Sequence, residues 1–148
     1  MKVRTATIKD LDTLVKFQVA MARETEGIDL QLETVEKGVK AVLTDSNKGK
    51  YYVAEINSKV VSSLLTTFEW SDWRNGTVLW IQSVYVMPQY RRRGVYRRMY
   101  SHIKTMVLSS DDLNGIRLYA DKSNLPAHKT YMNLGMTQDH YITFEWLK

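Results

Sequence analysis

The stretch from Tyr51 to Met87 most constrains the fold, because it doubles back on itself twice with no helix in between. Tyr51–Ile56 and Lys59–Trp70 read as strands separated only by Asn57-Ser58, a tight turn. Asn75-Gly76 is a second hairpin signal, since both residues tolerate positive φ. It launches a third long strand, Thr77–Met87, which Pro88 ends. Consecutive strands joined by turns this short must run antiparallel. A sheet of this kind needs cover, and the flanking sequence supplies it.

Before the strands, Val3, Thr5 and Thr7 alternate with Arg4 and Ala6 in a short first strand. From Asp10, a candidate cap, the period becomes helical, with Leu11, Leu14, Val15, Gln18 and Met21 on one face. ETEGID breaks that helix, a second runs from Leu30 to Leu43, and DSNKGK is a turn. Beyond Pro88 the helical period returns with Val95, Met99, Ile103, Met106 and Val107. Gly115 opens a strand IRLYA, and Pro126 fits the first turn of a short helix that Gly135 closes. His140–Leu147 alternates as a last strand. The order β-α-α-β-β-β-α-β-α-β predicts one domain over residues 1–148, an α/β fold with a mixed sheet, parallel where a helix joins two strands.

Composition narrows the chemistry. There are no cysteines, which excludes disulfides, thiolate nucleophiles and cysteine metal sites, and no metal site is expected. The polar start MKVRTATIKD does not resemble a signal peptide, and no apolar run is long enough for a membrane helix, so a cytoplasmic protein is expected. The net charge of +5 reflects 21 basic and 16 acidic residues. Without Arg91, Arg92, Arg93, Arg97 and Arg98 the balance is neutral, so one short window, YRRRGVYRRMY, carries the excess. Such a window could serve nucleic acid, a solvated helix face or a phosphate. The local charge argues against a nucleic-acid-coating surface and for one anion site. The window lies where a strand ends and a helix begins, and a helix N-terminus is a ready anion site. Gly94 would let backbone approach a ligand closely, and arginines add bidentate donors.

Arg91-x-x-Gly94-x-Tyr96, directly after a strand ending Val84-Tyr85-Val86-Met87-Pro88, resembles the acetyl-CoA motif Gln/Arg-x-x-Gly-x-Gly/Ala of the GNAT superfamily of N-acetyltransferases. Asn124-Leu-Pro-Ala-His-Lys-Thr-Tyr131-Met-Asn-Leu-Gly135-Met resembles the family's second signature, Asn-x-x-Ala-x-x-x-Tyr-x-x-x-Gly-Phe. Motif order and element order agree along the whole chain, and the hairpin FEWSDWRNGTVLW is similar to the diamine or polyamine branch. Two departures stand out. Tyr96 replaces a small residue, so its bulk must point away from the pyrophosphate or the cofactor sits less deeply, and Arg92 stands where glycine is common.

The resemblance implies a splayed central sheet of six to seven strands flanked by helices, and acetyl transfer from acetyl-CoA to a primary amine by direct attack in a ternary complex. It assigns the pyrophosphate to backbone N–H groups of Arg92, Arg93, Gly94, Val95, Tyr96 and Arg97, next to the motif's Arg91. The pantetheine arm would pair with main chain of Val84 and Val86, and Asn124 would contact the cofactor from the opposite lip, unless it is only a cap. An N–H near Val84 or Tyr85 would stabilise the oxyanion, and Tyr131 matches the general acid, unless it is a core tyrosine. Gln82 stands where many members place a basic glutamate and cannot take a proton. Glu69 on the facing strand is the preferred candidate, directly or through water; His128 and His140 are others, and His102 reads as structural.

Glu24, Glu26, Asp29, Glu33 and Glu36, with Trp70 and Trp73, could attract a small, polyamine-like cation, or could equally be a solvated surface and a packed hairpin. Protein lysine or another small amine is the alternative acceptor, and a silent acyl-CoA-binding module the alternative to an enzyme. No nucleic-acid or membrane partner is expected. The resemblance and the aromatic HYITFEW segment suggest a homodimer.

Overall fold

The antiparallel meander forms where the pattern places it. A computed structural model describes residues 1–148, which make two compact units, Met1–Arg117 and Leu118–Lys148. In the first unit, β1 (Lys2–Thr5), β2 (Lys50–Ile56), β3 (Lys59–Ser71), β4 (Gly76–Val86) and β5 (Leu113–Arg117) lie side by side in chain order. Pairing is antiparallel from β1 to β4 and parallel between β4 and β5. Helices α1 (Leu11–Glu26), α2 (Leu32–Thr44) and α3 (Val95–Leu108) belong to the same unit. Connecting β4 to β5 through α3 is what permits the parallel pair.

Burial along β2 and β3 does not alternate. Residues 51–54 of β2 and 61–66 of β3 are buried regardless of alternation, so the sheet is covered on both faces. Leu14 and Val15 of α1 and Val39 of α2 pack with Tyr51, Val53 and Leu65 in one cluster. Val95, Met99, Tyr100 and Ile103 form the buried stripe of α3.

Several local devices differ from the pattern. Asp10 does not cap α1. Its carboxylate turns back to the Thr7 N–H (2.7 Å) and accepts both ends of the Arg4 guanidinium (2.8 and 2.9 Å). The Asn57-Ser58 turn has φ of 50° and 60°, as expected of a tight hairpin. At the next hairpin only Asn75 is left-handed (φ 47°). Gly76 already belongs to β4, and a Cβ there would stand 1.8 Å from Asn114 Oδ1, so glycine serves close approach rather than turning. β5 begins at Leu113, earlier than the IRLYA segment, because its ladder to β4 starts at Thr77↔Leu113 and includes Gly115.

The sheet has five strands, not six to seven. No strand forms over His140–Leu147: Ile142, Phe144 and Trp146 are exposed, and alternation without a paired neighbour does not make a strand. The second unit is built around α4 (Leu125–Asn133), with Pro126 in its first turn and Gly135 (φ 84°) just beyond its end.

Candidate functional site

The β4–α3 junction turns through two left-handed residues. A short 3-10 turn, Pro88–Tyr90, follows β4, then Arg91 is extended (φ −65°, ψ 158°). Arg92 has φ 59° and Gly94 has φ 73°. Glycine adopts this conformation freely, whereas arginine holds it at a cost. Arg92, at the position where glycine is common, therefore keeps the backbone that a glycine would have. A Cβ on Gly94 would meet nothing within 4 Å, so the space in front of the turn is open.

The start of α3 has the features that an anion could use. Gly94 is its N-cap, no side chain caps it, and its first turn contains no acid. The helical ladder begins with the Arg98 N–H donating to the Gly94 carbonyl (3.1 Å), so the amides of Val95, Tyr96 and Arg97 precede it. They carry the positive end of the helix dipole, where an anion is stabilised. A groove of about 520 Å³ lies between Arg93, Gly94, Arg97 and Arg98 on one side and Met1 and Ile56 on the other, with no residue of β4 or β5 in its wall. The Tyr96 ring meets Tyr100, one turn further along α3, at 6.4 Å between centroids. The bulk of this departure from the motif is thus directed along the helix.

Beside the junction, β4 loses a neighbour. Its pairing with β5 ends at Trp80↔Arg117, whereas its pairing with β3 continues to Val86↔Ser62. The Met87 N–H donates to the Val61 carbonyl (2.9 Å), and Ser62 Oγ donates to the Tyr85 carbonyl (2.6 Å). Main-chain groups alternate between edges, so those of Val84 and Val86 face away from β3, along the unpaired stretch. Between Gln82 and Tyr85 the register to β3 shifts by one residue, and Ser83 takes φ 50°. This bulge re-aims the amides at the end of the pairing. No glycine or asparagine marks it in the sequence, and the sequence pattern missed it.

The carboxylates and amides are mostly engaged. Glu69 accepts from Trp80 Nε1 (2.5 Å) and from Arg117, and these partners hold its pKa below the usual carboxylate range. Gln82 Nε2 donates to Thr67 Oγ1 (2.6 Å). In the acidic group, Asp29 pairs with Arg23 (2.7 Å), Glu33 with Lys37 (2.5 Å) and Glu24 with Arg91 (2.5 Å). Trp70 and Trp73 are exposed on the β3–β4 hairpin. His102 contacts the Tyr52 ring at 5.7 Å. No group of three or more His, Cys, Asp or Glu is placed to hold a metal.

In the second unit, Asn124 is the N-cap of α4, and its Oδ1 accepts from the Ala127 N–H (3.2 Å). Tyr131 lies on the same helix, and burial raises the pKa of its phenol. His128 Nε2 contacts the Asp121 carbonyl (2.8 Å), and His140 is exposed. No helix is long and apolar enough to cross a membrane.

Comparison with known proteins agrees with this geometry. The acetyltransferase (GNAT) family matches residues 15–136, a span that includes both motifs. A possible acetyltransferase from Clostridium difficile 630 is 44% identical over 99% of this chain and 97% of its own, with a TM-score of 0.93. A predicted acetyltransferase with acetyl-CoA from Clostridium acetobutylicum shares the fold at 21% identity, covering 97% and 95% of the two chains (TM-score 0.73). So does an aminoglycoside acetyltransferase from an uncultured soil metagenomic sample in complex with sisomicin, at 15% identity over 99% and 95% (TM-score 0.76). No curated protein matches. The chain belongs to the GNAT acetyltransferase family.

Proposed function

We propose that this acetyl-CoA-dependent acetyltransferase moves the acetyl group to a primary amine of a small, polyamine-like cation, by direct attack in a ternary complex. The observation that carries the reading is the uncapped, acid-free start of α3 at left-handed Gly94, beside the unpaired stretch of β4. The main-chain amides of Arg92, Arg93, Gly94, Val95, Tyr96 and Arg97 would receive the pyrophosphate, with the arginine side chains adding charge. Val84 and the N–H of Val86, whose carbonyl already accepts from Arg91 Nε, would pair with the pantetheine amides along this edge. An amide of the Ser83–Val84 bulge would donate to the thioester oxygen as charge develops there. Because Asn124 uses its oxygen as a cap, its contact to the cofactor would come from the amide nitrogen.

Tyr131 would return a proton to the departing sulfur, and its raised pKa keeps the phenol protonated at neutral pH. Glu69, ionised and hydrogen-bonded, would take the amine's proton through water. Its lowered pKa makes it a weak base, so the reaction would depend on the fraction of amine already neutral. The fold also carries an aminoglycoside acetyltransferase solved with sisomicin, so it accommodates such an acceptor in that protein. The family match runs across both units, which favours one functional domain over 1–148, and the exposed Ile142, Phe144 and Trp146 favour a homodimer.

A second reading, a silent acyl-CoA-binding module, is favoured by the engagement of Glu69 and of Gln82's amide. Thiol release from acetyl-CoA, measured over diamines, polyamines, single-amine compounds and a lysine peptide, separates these readings. Release above background that is fastest with polyamines is expected. Release with the peptide alone would reassign the acceptor, and CoA binding without release would favour the silent module.

A further inference from the structure

Glu24, in the last turn of α1, has no role in the scheme above, yet its carboxylate joins two elements of the cofactor site. Its Oε2 accepts Arg91 Nη2 at 2.5 Å, and its Oε1 accepts the Tyr85 hydroxyl at 3.2 Å. Tyr85 is 7% exposed, and its ring stands against Phe17 of α1 at 4.9 Å. The Arg91 guanidinium lies over the same ring, 5.6 Å from its centroid, while Arg91 Nε donates to the Val86 carbonyl at 2.8 Å. Arg91 is therefore fixed at three points: a carboxylate, an aromatic face and the end of β4. The next residue, Arg92, is left-handed, a conformation that an arginine keeps only where its surroundings over-determine it.

We propose that Glu24 is a positioning residue for acetyl-CoA. It fastens Arg91 against β4 and so holds the turn through Arg92 and Gly94 with its amides directed outward. Arg91 then acts from behind the turn, its charge matched by Glu24, and does not ligate the anion. The proposal rests on the reading of this turn as the pyrophosphate site.

Calorimetric titration of CoA into the full chain tests it without needing the acceptor. Both side chains of the pair are partly exposed, 42% for Arg91 and 39% for Glu24, so the expected effect is moderate. Glu24→Gln should weaken CoA binding about fivefold, and Arg91→Gln at least as much. The double variant should be no weaker than the weaker single, because both changes break one clamp. Tyr85→Phe keeps the ion pair and should stay within about twofold of wild type. An unfolding midpoint within a few degrees of wild type separates positioning from loss of fold. If Glu24→Gln loses its cooperative transition, Arg91→Lys, which keeps the charge but loses the Nε donor, must show the roughly fivefold loss of CoA affinity with its transition intact. Unchanged or tighter CoA binding in Glu24→Gln, or additive losses, would overturn the assignment and leave the cofactor reading intact. Failure of the wild type to bind CoA would instead remove that reading.

Discussion

Replacing Gly94 with alanine separates the cost of the turn from the cost to the ligand. Gly94 holds φ 73°, where an L-residue with a Cβ is disfavoured by about 1 kcal/mol or somewhat more. Alanine would also lower the entropy of the unfolded chain, which offsets part of this cost without reversing its sign. No atom lies within 4 Å of the added Cβ, so no steric term is added. A net loss of about 1 kcal/mol should lower the unfolding midpoint by about 3 °C in a chain of this length. The ligand meets a different problem. The Cβ would occupy the open space that backbone amides need in order to reach a pyrophosphate, so CoA affinity should fall at least about tenfold. A melting series with and without CoA reads both effects, because ligand stabilisation follows RT ln(1 + [L]/Kd). The expected result is a small drop without ligand and a much reduced CoA-induced rise. A variant with a lowered midpoint but a full CoA-induced rise would place the anion elsewhere. An unchanged midpoint would mean that the left-handed conformation is not what glycine supplies here.

Asp10→Asn should cost about 2 kcal/mol. Breaking a well-buried pair costs more, but Arg4 is 27% exposed. Because hydrogen bonding from Arg4 lowers the pKa of Asp10, its stabilisation is present above the unfolded value of about 4 and is lost as pH falls through the folded value. Midpoints of wild type and Asp10→Asn should therefore converge only in strong acid. Tyr131→Phe should lower kcat about 100-fold with CoA affinity unchanged, and should remove the alkaline limb of the rate profile. Turnover of wild type should rise with pH toward the amine's own pKa of about 10, since Glu69 is held as a weak base; a plateau at neutral pH would show a stronger base at work. Gly76→Ala should destabilise by about 2 kcal/mol, because its Cβ would overlap Asn114 Oδ1 and crowd the Asp112 carbonyl at 3.0 Å; calorimetric unfolding checks this.

What the sequence revealed follows from where the determining forces are local. The meander was legible because turn residues and β-type runs carry their signals within a few positions, as at Asn57-Ser58. The strand-to-helix turn at the start of α3 was legible through Pro88 and Gly94. The Ser83 bulge was not, because a serine held at φ 50° by the surrounding ladder leaves no compositional trace. Gly76 was read as a turn residue, whereas its constraint comes from Asn114 and Asp112 of the β5 side, far along the chain. His140–Leu147 shows the converse: a strand pattern is a statement about partners, and alternation alone does not supply one. The Glu24–Arg91 pair joins residues 67 positions apart, so the acidic cluster could be seen in the sequence while its pairing could not.

A crystal structure with CoA would show where the pyrophosphate lies. The pyrophosphate should lie within hydrogen-bond distance of the amides between Arg92 and Arg97, over Gly94, with the pantetheine arm paired to main chain of Val84 and Val86. A cofactor held by arginine side chains alone, or bound away from the unpaired stretch of β4, would contradict the account.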